Sequence, residues 1–144
     1  MTKILIADDN ILIRRGLHRL LQTHKEWEVC GEACDGREAV QKSRELKPDV
    51  VVLDFLMPGL NGIEAAKEIA GVCPETPILL WTMYLSRELC EMARRVGIKA
   101  VLAKGNVGEM FSGLETILNG GTFFAPEAAK SSYMIPETDS RSER

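Results

Sequence analysis

Three aspartates, a threonine and a lysine stand at the ends of short apolar runs. Ile4-Leu5-Ile6-Ala7 leads into Asp8-Asp9, and Val50-Val51-Val52-Leu53 into Asp54. Ile78-Leu79-Leu80-Trp81 leads into Thr82, and Ala100-Val101-Leu102-Ala103 into Lys104. Three carboxylates make an all-oxygen site suited to Mg²⁺, which takes few carboxylates and keeps several waters. A hydroxyl and a compact ammonium suit an anionic group. Together they point to phosphoryl chemistry. Asp54 is the candidate nucleophile, because a carboxylate forms an acyl phosphate when a metal neutralises the incoming group. Taken singly, each residue has a plainer reading. The Asp pair could cap the next helix, Asp54 could be a solvated strand-end acid, Thr82 structural and Lys104 a surface charge. The common frame sets them apart: each falls at the carboxyl end of a separate run.

Chemistry of that kind needs elements that bring four run ends together. Each run is apolar throughout, as in a strand buried on both faces of a parallel sheet. In an open α/β sheet, ligands bind just past the carboxyl ends of the strands. Helical patterns separate the runs. Ile13, Leu17, Leu20 and Leu21 repeat at helical spacing after the first strand. Trp27 to Cys34 reads as a second strand. Asp35 and Glu38 are spaced as a capping box and open a helix to about Lys47, which Pro48 ends. Asn61 and Glu64 repeat that spacing and open a helix to about Ala70. A helix is expected near Ser86–Val96, closed by Gly97. A last one carries Val107, Met110, Phe111, Leu114, Ile117 and Leu118 and breaks at Gly120-Gly121. The order is (βα)5, and short right-handed crossovers close it as a doubly wound parallel five-stranded sheet.

The 144 residues make one domain with a tail, long enough to bury a core without disulfides. A net charge of −3 offers no basic face, so this domain is not expected to bind nucleic acid. Met1 to Asp9 holds only a short apolar run before two acids, so neither a signal peptide nor a membrane span is expected, and the cytoplasm is the default location. Cys30, Cys34, Cys73 and Cys90 have no zinc spacing and read as free structural thiols, the first two on one face of the second strand.

The combination of motifs resembles the receiver domain of bacterial two-component response regulators, over about residues 2–120. It is carried by Ile6-Ala7-Asp8-Asp9-Asn10, Val52-Leu53-Asp54-Phe55-Leu56-Met57-Pro58-Gly59-Leu60-Asn61-Gly62, Leu80-Trp81-Thr82 and Gly97-Ile98-Lys99-Ala100-Val101-Leu102-Ala103-Lys104. The resemblance implies a flavodoxin-like strand order, 2-1-3-4-5. It implies that Asp54 accepts a phosphoryl group from a sensor histidine kinase. It implies that Asp8, Asp9, Asp54 and the backbone carbonyl of Leu56 arrange Mg²⁺, and that Thr82 and Lys104 contact the phosphoryl group. Drawn toward the added negative charge, Thr82 and Lys104 would shift their loops and alter the face formed by helix 4, strand 5 and helix 5, where a partner or a homodimer would form. The expected division is a receiver over 1–121 and a linker or tail over 122–144, disordered from about Ser131.

Within that family the chain is similar to the NarL/LuxR type, through Arg14-Arg15-Gly16-Leu17, Asp35-Gly36-Arg37-Glu38-Ala39 and Gly120-Gly121-Thr122-Phe123-Phe124-Ala125-Pro126-Glu127. Such proteins carry a helix-turn-helix output domain after the linker and regulate transcription. No such pattern follows here, as expected of a stand-alone receiver or of one separated from its output domain. Two positions depart from the family pattern. Val101 stands where many receivers have an aromatic switch residue, and Gly105 where many have Pro or Asp. Leu56 and Tyr84 flank the site and are expected to shield an acyl phosphate from water. Two other readings remain: a receiver-like binding module that signals without phosphorylation, and a Mg²⁺-dependent phosphatase. Phosphatases with an Asp nucleophile carry a second Asp two residues later, where this chain has Leu56.

Overall fold

A computed structural model describes residues 1–124. Strands and helices alternate as β1 (Thr2–Ala7), α1 (Ile11–Leu21), β2 (Trp27–Ala33), α2 (Gly36–Leu46), β3 (Val50–Asp54), α3 (Gly62–Val72), β4 (Ile78–Thr82), α4 (Arg87–Arg95), β5 (Ala100–Ala103), α5 (Gly108–Leu118) and β6 (Phe123–Phe124). All neighbouring strands are parallel, in the order β2-β1-β3-β4-β5-β6. The doubly wound α/β sheet and the 2-1-3-4-5 order are as expected, with a sixth strand added at the β5 edge.

Every residue of β3 and β4 is buried, which is why both read as unbroken apolar runs. Alternate residues feed two cores. Leu5, Val51, Leu53 and Leu80 pack with Ala39 of α2, Ile69 of α3 and Leu89 of α4. Ile4, Ile6, Val52 and Leu79 pack with Leu17 of α1 and Leu114 of α5. The helices thus divide three and two across the sheet.

Polar side chains start four of the five helices. Asn10, Asp35 and Ser86 cap α1, α2 and α4. Asn61 and Glu64 form a reciprocal capping box, with Glu64 N to Asn61 Oδ1 at 2.8 Å and Asn61 N to Glu64 Oε1 at 2.9 Å. α5 has no such cap. α3 runs on to Val72, through the glycine that marked its expected end, and the N–H of Cys73 still bonds to Ile69 O.

β6 lies in the segment read from sequence as linker or tail; the expected disorder from Ser131 lies outside the described residues. Phe123 and Phe124 pair with Ala100 and Val101, and the Arg94 guanidinium sits 4.2 Å from the Phe124 ring centre. Two residues give no periodicity to read, so contact with β5 and α4 decides this strand. A second deviation is in β2. Its register on β1 skips Cys30, a bulge that breaks the alternation on which the shared face of Cys30 and Cys34 rested. Cys30 packs against the α2–α3–α4 core, whereas Cys34 lies past the strand, exposed. All four cysteines are free thiols, and burial pushes that of Cys90 up to about 11.

Candidate functional site

The parallel sheet brings the ends of β1, β3, β4 and β5 to one rim. Asp8, Asp54 and Thr82 are buried there, and Asp9 is exposed. Carboxylate oxygens of Asp8, Asp9 and Asp54 all lie within 4.8 Å of one another. The Lys104 ammonium reaches in from the end of β5, 2.7 Å from Asp8 Oδ2 and 3.1 Å from Asp54 Oδ1. So the acids and the lysine named from sequence meet. Asp8 and Asp9 would point to opposite faces in a regular strand, but β1 ends at Ala7, and the turn into α1 lets both approach the cluster.

Each member is held by its backbone or its neighbours. Asp8 N donates to Ala33 O of β2, and Asp8 Oδ1 accepts from Asn10 N at 2.9 Å. Thr82 Oγ accepts from Tyr84 N at 2.9 Å, which fixes the hydroxyl oxygen at the start of the β4–α4 loop. Thr82 O accepts from Lys104 N at 2.8 Å, tying the ends of β4 and β5 together. Leu56 lies in the β3–α3 loop with its side chain half exposed. That loop is drawn tight by Gly62, whose N–H donates to Phe55 O at 2.7 Å. Gly105, just past Lys104, has φ +96°, a conformation closed to proline.

Electrostatics mark Asp54. Burial, and then the neighbouring Asp8 charge, push its carboxyl up to about 6, against the opposing pull of Lys104. Asp8 Oδ2 is a buried acceptor with no aligned hydrogen-bond donor among the described residues; the ammonium touches it as a charge rather than along a hydrogen bond. A buried carboxylate oxygen met by one ammonium, beside two more acids, is a donor set that suits a hard divalent cation. The donor set therefore fits Mg²⁺.

Two supporting features escaped the sequence reading. Arg14 Nη1 donates to Asp8 O at 2.7 Å, while Arg14 Nε bonds Glu32 Oε1 at 2.7 Å. His18 also bonds Glu32, and although burial raises the Glu32 carboxyl, these two partners outweigh it and hold it below the usual range. The signal was present: Arg14 and His18 are four apart, on one face of α1. The second feature is Trp81, read as the last residue of an apolar run and as part of Leu80-Trp81-Thr82, with no contact of its own. The Lys104 ammonium lies 5.4 Å from its ring centre.

A family model for the response regulator receiver domain matches residues 4–113. The transcriptional regulatory protein YdfI of Bacillus subtilis is 34% identical over 131 residues, covering 90% of this chain and 61% of that protein. The oxygen regulatory protein NreC of Staphylococcus haemolyticus is 38% identical over 123 residues, covering 84% of this chain and 57% of that one. The chain thus spans about three-fifths of the length of these relatives. Among solved structures, a LuxR-family two-component response regulator from Aurantimonas sp. superposes with a TM-score of 0.85 at 32% identity, covering 90% of this chain and 94% of that one.

Proposed function

Because this chain belongs to the response regulator receiver domain family, we propose that it is a phosphorylation switch with Asp54 as the phosphoryl acceptor. The observation that carries this reading is the meeting of three carboxylates and one ammonium at the sheet rim. In the transfer, a carboxylate oxygen of Asp54 attacks the phosphorus of a phosphohistidine on a sensor histidine kinase. The new P–O bond makes an acyl phosphate, the P–N bond breaks with its electron pair going to the ring nitrogen, and the imidazole leaves neutral because its other nitrogen already carries a proton. Asp8, Asp9, Asp54 and the Leu56 carbonyl would hold Mg²⁺, which supplies positive charge against the incoming phosphoryl oxygens. The Thr82 hydroxyl donates to one of those oxygens, its own oxygen being fixed by Tyr84 N. Lys104 supplies a point charge.

The output follows from what the site shares with the sheet. Thr82 and Lys104 are joined by a backbone bond, so both loops move together. A shift of a few kcal/mol in their contacts moves a two-state population. The face that responds is formed by α4, β5 and α5, now with β6 along it; a homodimer contact there is tested by light scattering before and after labelling. The chain acts as a cytoplasmic switch rather than a turnover enzyme, and regulation of transcription is the expected output. Among the described residues no helix is long and apolar enough to cross a membrane.

The test is incubation with Mg²⁺ and acetyl phosphate, followed by intact mass. One phosphoryl adduct that needs Mg²⁺ and is lost in Asp54→Asn is the expected result. No adduct, with Mg²⁺ bound, would leave a receiver that takes the group only from its kinase, or the phosphorylation-independent module, and a partner pull-down would separate the two. That second reading draws on Val101, which is fully buried and carries no aromatic ring to rotate. Steady release of phosphate from esters would instead mark a phosphatase.

A further inference from the structure

Trp81 occupies a position where bulk alone does not account for it. It is buried in β4, with Asp54 as its partner across on β3 and Leu102 as its partner on β5. It thus stands between the acceptor strand and the strand that carries Lys104. Its side chain joins the core formed with α1 and α5. Its indole N–H is buried without an acceptor among the described residues. A buried, unpaired donor costs free energy, which Phe or Leu at this position would avoid. What Trp offers in return is the strongest ring face for a cation. A cation lies there: the Lys104 ammonium is 5.4 Å from the ring centre, inside the range of a cation–π contact. Lys104 has only 8% of its side chain exposed, so the contact is largely desolvated.

The ammonium therefore has two kinds of seat. Asp8 and Asp54 hold it by charge, and those same carboxylates are the donors a divalent cation would take. Once a second cation is bound there, repulsion would drive the ammonium away from the acids. The ring is an uncharged seat that a metal does not compete for. We propose that Trp81 is a positioning residue for Lys104, its ring keeping the ammonium beside the acceptor oxygens when the carboxylates are occupied by a metal. The proposal rests on Asp54 being the phosphoryl acceptor.

One experiment has two arms. The chain has two tryptophans, so Trp27→Phe leaves Trp81 as the only tryptophan, whose emission is read under excitation that spares tyrosine. In Mg²⁺ buffer, the emission of Trp27→Phe is compared with that of Trp27→Phe/Lys104→Met. A shifted emission maximum is expected, and coincident spectra overturn the contact. The second arm follows adduct formation from acetyl phosphate at saturating Mg²⁺ by intact mass. Trp81→Phe, which keeps a weaker ring, is expected between the wild type and Trp81→Met. Trp81→Met, which fills space without a ring, is expected to be slower by on the order of tenfold, or about 1.4 kcal/mol. Equal rates in the two variants, fast or slow, mean that Trp81 is only core filler and overturn the proposal. If Trp81→Met does not fold, the emission arm decides, since it keeps Trp81 in place. If the wild type takes no phosphoryl group from any donor, the acceptor reading has failed, and the emission arm still reports whether Lys104 sits on the ring.

Discussion

Asp54 is held at a cost. In the folded chain its carboxyl titrates near 6 instead of 3.8, because burial and Asp8 oppose its charge. Between those values the folded state holds more of a proton than the unfolded state does. Stability from this group therefore falls as pH rises through that window and stays lower above it. Asp54→Asn should stabilise metal-free protein at about pH 7.5 by about 1 kcal/mol after allowance for solvent screening, seen as a raised Tm. The gain should shrink as the pH is lowered toward about 4, and a thermal melt in chelator at both ends of the range checks it. Leu56 and Tyr84 carry a different expectation. They stand on the two loops flanking Asp54, with 50% and 63% of their surface exposed. Apolar side chains there should slow water's approach to an acyl phosphate. The Leu56→Asn, Tyr84→Glu double variant should lose its adduct several-fold faster, by about 1 kcal/mol in barrier. Equal decay in a time course of intact mass would sink the idea.

At the scale of elements, the loop between β3 and α3 is the most sensitive piece. A Cβ on Gly62 would lie 2.6 Å from both Asp54 O and Leu80 Cδ1. The first of these is backbone and cannot yield cheaply. Gly62→Ala should cost about 1–3 kcal/mol, as other overpacked sites do. Urea denaturation should show a lower midpoint at unchanged slope. Because the atom displaced belongs to Asp54 itself, adduct formation should slow as well, and a variant with unaltered labelling would show that the loop relaxes away from the acceptor. The capping box of Asn61 and Glu64 holds the α3 end of the same loop. Its spacing was readable from sequence because the cap depends on local geometry alone. The strand β6 was not, since it depends on what lies beside the chain.

At the scale of the whole molecule, the acid cluster links metal binding to folding. A ligand that binds only the folded state stabilises it by mass action, by about 2.7 kcal/mol at a hundredfold excess over Kd. Mg²⁺ should therefore raise the Tm of the wild type. Asp9 offers a clean probe, because it is exposed and is not one of the two acids that Lys104 touches. Asp9→Asn should leave the metal-free Tm nearly unchanged, within about 0.5 kcal/mol. It should weaken the Mg²⁺-dependent rise, and a full rise in that variant would remove Asp9 from the metal site.

Periodicity, cap spacing and the strand-end frame sufficed for the parallel sheet, the order of its elements and the placing of Asp8, Asp9, Asp54, Thr82 and Lys104 at strand ends. These signals are local or recur at every strand, so they survive without coordinates. Tertiary structure alone decided which groups touch. It placed the Lys104 ammonium on Asp8 and Asp54, left Asp8 Oδ2 without an aligned donor, and set Arg14 against Asp8 O. It also turned Trp81 from one more apolar residue into the ring beside Lys104, and Phe123–Phe124 from tail into strand. The reason is common to all of them. Each is a contact between residues remote in the chain, and its existence depends on strand register and side-chain direction, which no window of neighbouring residues encodes.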